Sequence, residues 1–248
     1  MIDIKFKTHP YSQNNEDSII ESLLNKCNMN IEEMFVVDVG AYDGYEYSNI
    51  IKLIEQGSAG LLIEPCEYGG ECEGKFSTLK TLSEKFNKVS VKKAAVIPKE
   101  LSQELVDYVC DDILKMEHRC DSSINDRVEV YDINEILNEF NVPYDFDILN
   151  IDTDRFDHEI WNNLESYRPK IVIIETNSNI SGQVPSIETL EDGTHFNSAN
   201  KNKIPDMYGS DSGTWSRESS NWLAEKKGYV EVAYTGNVIY LRKENNYD

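Results

Sequence analysis

Basic residues are scarce in this chain: 24 Lys and Arg stand against 45 Asp and Glu in 248 residues, a formal charge of -21 spread along its length. Such a field repels polyanions. With no local cluster of Lys and Arg, the sequence argues against nucleic acid as a partner and favours a neutral or cationic ligand. The same acidity also serves solubility. Long apolar runs are missing as well. MFVVDV, GLLIEP and IVIIE fall far short of the roughly 18 residues a membrane span needs, so no membrane partner is expected. The opening MIDIKFKTHPYSQ has neither the apolar centre of a secretory signal nor the Arg- and Ser-rich character of a transit peptide, and the chain reads as cytoplasmic. Cysteines are few, at 27, 66, 72, 110 and 120, with no CxxC pair, which fits reduced thiols. Cys110, His118 and Cys120 come nearest to a metal-ligand group, but their spacing is not a recognisable zinc pattern.

What is present is an alternation of short β-rich runs with helical periodicity, the signature of βαβ units and a parallel sheet. No internal repeat and no second core are visible, so residues 1–248 read as a single α/β domain with helices on both faces. A helical lead-in occupies residues 1–30, with Asn15 expected to cap a helix whose apolar face is Ile19, Ile20, Leu23, Leu24 and Cys27. Strands are expected over Met34–Val39, Gly60–Glu64, Val89–Val96, Phe146–Ile151 and Lys170–Glu175, and a helix is expected to start near Ser48. Asp132 and Glu135 form a capping-box pair for a further helix. Residues 98–127 show no clean period and read as an insertion, and the polar segment 176–213 reads as a substrate loop. Arg217–Lys227 reads as a helix stopped by Gly228, followed by a C-terminal antiparallel hairpin turning at Thr235–Asn237.

In such a sheet ligands sit outside the C-terminal strand ends, and here those ends carry Asp38, Glu64, Asp152 and Glu175. The loop after the first strand is D-x-G-x-x-x-G, Asp38 to Gly44, with Asp43 inside it. A dinucleotide loop of the G-x-G-x-x-G type offers bare amides to pyrophosphate, whereas this one would turn two carboxylates toward it. The Tyr-x-x-x-Lys pair of short-chain dehydrogenases and the G-x-x-x-x-G-K-[ST] loop of nucleotide triphosphatases are both missing. S-adenosylmethionine suits the pattern better, because it has no phosphate and its sulfonium and α-ammonium are both cationic. Gly40 and Gly44 are expected to let the backbone approach it, with Asp38 or Asp43 near the cation and Glu64 accepting from the ribose hydroxyls.

The segments YSQNNEDSII (11–20), FVVDVGAYDGYEYSN (35–49), GLLIEP (60–65), FDILNIDTDRFDHEIW (146–161), PKIVIIETN (169–177) and KKGYVEVAYTGNVIYLR (226–242), in this order, resemble the FkbM-like class I methyltransferases. The resemblance implies a Rossmann-like, mostly parallel seven-stranded sheet and S-adenosylmethionine over Asp38, Gly40, Ala41, Asp43 and Gly44. It implies the ribose on Glu64 beside Pro65, Ser48 opening the next helix and Gln13 packing over the site. It also implies O-methylation of a hydroxyl on a small-molecule or glycan acceptor. Two departures stand out: Asn15 replaces the usual Gly of the SQ-x-GED opening, and Arg155 replaces a Gly after Asp154, where it is expected either to narrow the acceptor pocket or to supply an anion contact.

For chemistry, Asp152, Glu175 and Asn177 are expected to converge as hard oxygen ligands suited to Mg2+, with Asp152 also a catalytic candidate and Asp154 and His158 the leading bases. Capping by Asp152 and Asp154 and a loop turn at Asn177 are the structural alternatives. His195 reads as a solvated loop histidine, Trp161 and Trp222 as core, and Trp215 as a sugar-stacking candidate. Two other functions stay open: a Rossmann-type NAD(P)-dependent oxidoreductase, and a non-catalytic binding module, which Arg155 keeps in view.

Overall fold

The computed structural model of the chain describes residues 11–68, 74–99, 103–121, 128–153, 156–176 and 217–245. In chain order the elements are α1 (Glu16–Lys26), a 3-10 turn (Ile31–Glu33), β1 (Phe35–Val39), α2 (Ile51–Glu55), β2 (Ala59–Ile63) and α3 (Lys75–Lys85). There follow β3 (Val89–Lys92), β4 (Ala95–Val96), α4 (Gln103–Cys120), β5 (Val130–Tyr131), α5 (Ile133–Glu139) and β6 (Ile148–Ile151). The described elements end with α6 (Asp157–Asn162), β7 (Ile171–Glu175), α7 (Arg217–Lys227), β8 (Tyr229–Tyr234) and β9 (Asn237–Arg242).

Seven strands form one sheet in the order β3-β2-β1-β6-β7-β9-β8, parallel except where β9 runs antiparallel to both β7 and β8. The strands are apolar because both faces are covered. Val37, Leu61, Leu149 and Val172 point to one core, shared with α5, α6 and α7. Val36, Leu62, Ile148 and Ile173 point to the other, shared with α1, α2 and α3. Trp161 is buried against Tyr229 and Tyr240, as a core tryptophan should be, and Trp222 packs partly buried on the same cluster. The chain leaves β1 toward β2 on one side and β6 toward β7 on the other. The sheet therefore reverses its winding between β1 and β6, the place where such folds hold ligands. No helix among the described residues is long and apolar enough to cross a membrane.

Three local expectations need correction. The single strand over Val89–Val96 is two: β3 loses its partner where β2 ends, at the Ile63–Lys92 pair, and the chain bends so that β4 pairs with β5 in a separate two-stranded sheet. Within 98–127, Gln103–Cys120 is an 18-residue helix. Its inward face runs Val109, Ile113, Glu117 at four-residue spacing, and the charge at the third position hides the apolar period. Glu117 is buried because its Oε1 accepts from the Glu67 N–H at 2.6 Å and lies 3.6 Å from Lys93 Nζ. Asn15 does precede α1, but its side chain makes no cap hydrogen bond; its backbone is left-handed at φ 66°. That conformation is where glycine is least strained and Asn is tolerated, which accounts for Asn at a position where Gly is usual. The remaining helix ends match expectation. Asp132 and Glu135 form a reciprocal capping box, Ser48 Oγ accepts from the Ile50 and Ile51 N–H groups, and Gly228 ends α7 at φ 83°.

The left-handed backbone makes position 15 a direct test. Asn15→Ala should cost about 1 kcal/mol in urea denaturation, and Asn15→Gly should cost nothing or stabilise slightly. The reverse order would contradict the conformation described.

Candidate functional site

A cavity of about 460 Å³ opens at the C-terminal ends of β1, β2, β6 and β7. Five carboxylates line it, Asp38, Glu46, Glu64, Asp152 and Glu175, against one basic side chain among the described lining residues, Lys75. The opposite wall is apolar and comes from the bend after β3 and from α4: Ala94, Ala95, Val96, Ile97, Val109 and Ile113. Two corrections to the sequence reading, the broken strand and α4, thus build one side of the site.

Asp38 is the fourth residue of β1 and pairs in register with Asn150 of β6. Asn150 Nδ2 donates to Asp38 Oδ1 at 2.7 Å, and Asn49 Nδ2 donates to Asn150 Oδ1 at 3.0 Å. This buried thread fixes the Asn150 amide and leaves Asp38 as the acceptor at its end. Burial pushes the Asp38 carboxyl up to about 6, the Asn150 hydrogen bond works against that rise, and the nearby Glu64 charge adds to it.

Glu64, directly after β2, is 4% exposed. Its Oε2 accepts from the Tyr42 N–H at 3.0 Å and its Oε1 from the Cys66 N–H at 3.0 Å. Lys75 Nζ, from the start of α3, stands 3.8 Å from Oε1 and 4.3 Å from the centre of the Tyr42 ring. Burial raises the Glu64 carboxyl above its ordinary value, and Lys75 and the two amides oppose that rise. Ionised, the carboxylate still has acceptor capacity beyond its two amide partners.

The loop between β1 and α2 is built around close contacts. A Cβ at Gly40 would lie 1.7 Å from the Asp152 carbonyl oxygen, and Gly40 has φ 84°, so only glycine lets the β1 and β6 ends come together there. Gly44 does not face the cavity as expected. A Cβ there would lie 2.8 Å from Leu79 Cδ2, so its bareness serves the packing of α3. Asp43 is likewise not among the lining residues; its Oδ1 accepts from the Tyr45 and Glu46 N–H groups, both at 2.8 Å, and holds the turn.

The other expected residues divide. Gln13, Ala41, Ser48 and Pro65 line the cavity together with Asp38, Gly40 and Glu64. Asp152 and Glu175 also line it, but Asn177 and Asp154 lie outside the described residues, as do Arg155, His195 and Trp215. Among the described residues no group of three or more His, Cys, Asp or Glu side chains gathers as a metal site, so the structure gives the Mg2+ expectation no support. His158 is not placed as a base at this cavity. It is 1% exposed inside α6, with Nε2 3.3 Å from the Ser219 carbonyl oxygen. Sequence reasoning missed Asn150, Lys75 and two lining tyrosines, Tyr42 and Tyr47, whose backbones are left-handed at φ 51° and 58°. Asn150 left a signal: a polar residue inside the buried strand ILNI must find partners.

The sheet order and its one reversed strand define a Rossmann-like class I methyltransferase fold. The profile of the Methyltransferase FkbM domain matches residues 38–193, and the chain belongs to that family of S-adenosylmethionine-dependent methyltransferases. Among solved structures the chain is similar to a SAM-dependent methyltransferase from Aquifex aeolicus, at 12% identity over 90% of this chain and 88% of that one, TM-score 0.39. It is also similar to the pyocyanin biosynthetic protein PhzM, at 14% identity over 89% of this chain, TM-score 0.39; this chain spans 53% of that one. A putative hemolysin from Lactococcus lactis matches at 10% identity over 95% and 90% of the two chains, TM-score 0.41. No curated protein matches the chain.

The residues present fit the family's cofactor. The cavity has the size of a small-ligand site, its charge suits a cation without phosphate, and Glu64 keeps acceptor capacity for a diol.

A carboxyl moved from 3.8 to about 6 has a pH signature. The folded chain keeps a proton that the unfolded chain has released, so stability falls as pH rises from about 4 to about 6 and stays lower above, by about 3 kcal/mol. Asp38→Asn keeps an acceptor for Asn150 and removes the buried charge. It should raise unfolding free energy by roughly 1–3 kcal/mol at about pH 7.5 and by much less at about pH 4.5. An equal effect at both pH values would contradict the assignment.

Proposed function

We propose that the protein transfers a methyl group from S-adenosylmethionine to a hydroxyl oxygen of a sugar or other small molecule. The observation that carries the cofactor reading is the lining of the cavity, with five carboxylates and a single lysine among its described residues. An NAD(P) pyrophosphate would meet repulsion there, whereas a sulfonium and an ammonium are attracted.

Bound S-adenosylmethionine supplies a methyl group activated by a cationic sulfur. The chain's part is to align and to manage charge. Glu64 accepts from the ribose hydroxyls, and Asp38, held by Asn150, turns its negative charge toward the cationic end. The apolar wall of Val96, Ile97, Val109 and Ile113 keeps water from one side of the cavity. Asp152 and Glu175, at the ends of β6 and β7, are the carboxylates on the side away from Glu64. In this reading Asp152 would take the proton that the acceptor hydroxyl loses when the methyl carbon exchanges its bond to sulfur for one to that oxygen, which leaves the sulfur as a neutral thioether, and Glu175 would accept a hydrogen bond from a neighbouring hydroxyl.

The test uses methyl-labelled S-adenosylmethionine with a panel of hydroxylated small molecules, including free sugars and sugar nucleotides. Label should appear in an O-methyl ether, and Asp152→Asn should lower kcat by about 10²–10⁴-fold with KM for S-adenosylmethionine little changed. Label on nitrogen or carbon, or unchanged kcat in the variant, would overturn the reading.

A further inference from the structure

Lys75 sits where neither the helix nor the cavity chemistry asks for a lysine. It is the first residue of α3, and a cation in the first turn of a helix opposes the helix dipole; no acidic residue in that turn offsets it. Its side chain is only 16% exposed. Two contacts hold the ammonium, the face of Tyr42 at 4.3 Å and Glu64 Oε1 at 3.8 Å. The second distance is that of an ion pair without a direct hydrogen bond, so Lys75 lends Glu64 its charge without occupying the carboxylate's remaining lone pairs.

We propose that Lys75 is a positioning residue for the cofactor, holding the Glu64 carboxylate in the acceptor-only state that two ribose hydroxyls require. This rests on the S-adenosylmethionine reading above. Two vicinal hydroxyls both donate to an ionised carboxylate, whereas a protonated carboxyl spends one oxygen as a donor and loses one of those bonds. The groups facing Glu64 divide clearly. Asp38 from β1 and burial favour the protonated form, while the amides of Tyr42 and Cys66 and the ammonium of Lys75 favour the ionised one. The Cys66 thiol, pushed up to about 12 by burial, stays protonated and donates a hydrogen bond to Glu64 that also favours the ionised form. Lys75 is the only full positive charge in this balance among the described lining residues. The Tyr42 ring fixes its place: the residue whose amide holds one carboxylate oxygen also seats the lysine that charges the other.

Calorimetric titration of S-adenosylhomocysteine into wild type, Lys75→Met and Lys75→Arg, between about pH 6 and pH 8.5, tests the assignment. The ratio of Lys75→Met to wild-type Kd should be about tenfold at the acid end and shrink to about twofold at the alkaline end. It should stay within about threefold throughout for Lys75→Arg. Taking ratios removes the Asp38 titration, which all three proteins share. In an E64Q background, where residue 64 no longer ionises, adding Lys75→Met should change Kd by less than about twofold. Lys75→Gln replaces Lys75→Met if thermal unfolding shows the latter misfolded. A ratio independent of pH, an equal loss in Lys75→Arg, or an undiminished loss in the E64Q background would overturn the proposal. Wild type without affinity for S-adenosylhomocysteine would instead remove the cofactor reading beneath it.

Discussion

A carboxylate taken out of water must be given donors or a counter-charge, and in this protein these come from the segments that form the site. Glu64 gathers three pieces of chain. The β1–α2 loop gives the Tyr42 amide, the segment after β2 gives the Cys66 amide, and α3 gives the Lys75 ammonium. Asp38 does the same across the sheet, drawing Asn150 of β6 and, through it, Asn49 at the approach to α2. The cavity therefore holds its shape because two buried acids would otherwise be unsatisfied.

These two threads flank β1, the strand beside which the sheet reverses its winding, and Gly40 sets how closely its end can approach that of β6. Because its missing Cβ lets the Asp152 carbonyl come into contact, the acids at the ends of β1 and β6 share one cavity. The arrangement is costly for the unliganded fold. Asp38 is driven upward by burial and by Glu64, and Tyr42 and Tyr47 both hold left-handed backbone. Repulsion between like charges is held here, and under the proposed function a cationic ligand would relieve it, so that stability given up in the free chain would be regained on binding.

Much of this was legible in the sequence because strands buried on both faces leave continuous apolar runs, and the acids that end them mark the sheet's C-terminal edge. Asp38, Gly40, Glu64, Asp152 and Glu175 were all visible this way. What stayed hidden depended on partners distant along the chain. Glu117 broke the apolar period of α4 because its partners, Lys93 and the Glu67 amide, come from another part of the fold. The break after Lys92 is set by where β2 ends rather than by any residue between β3 and β4. Asp43 and Gly44 carry the look of a ligand loop, but one ties a turn and the other makes room for Leu79. Lys75 left no mark, since the sequence did not fix where α3 begins, and only the fold brings its first residue to Glu64.

Under the proposed function the acids crowning β1 and β2 hold an adenosyl sulfur compound by its ribose. A crystal structure with S-adenosylhomocysteine tests this directly. The account predicts both ribose hydroxyls within about 3 Å of the Glu64 carboxylate, with Lys75 still beside it. Density for the ligand elsewhere, or a Glu64 carboxylate that makes no contact with it, would contradict the account.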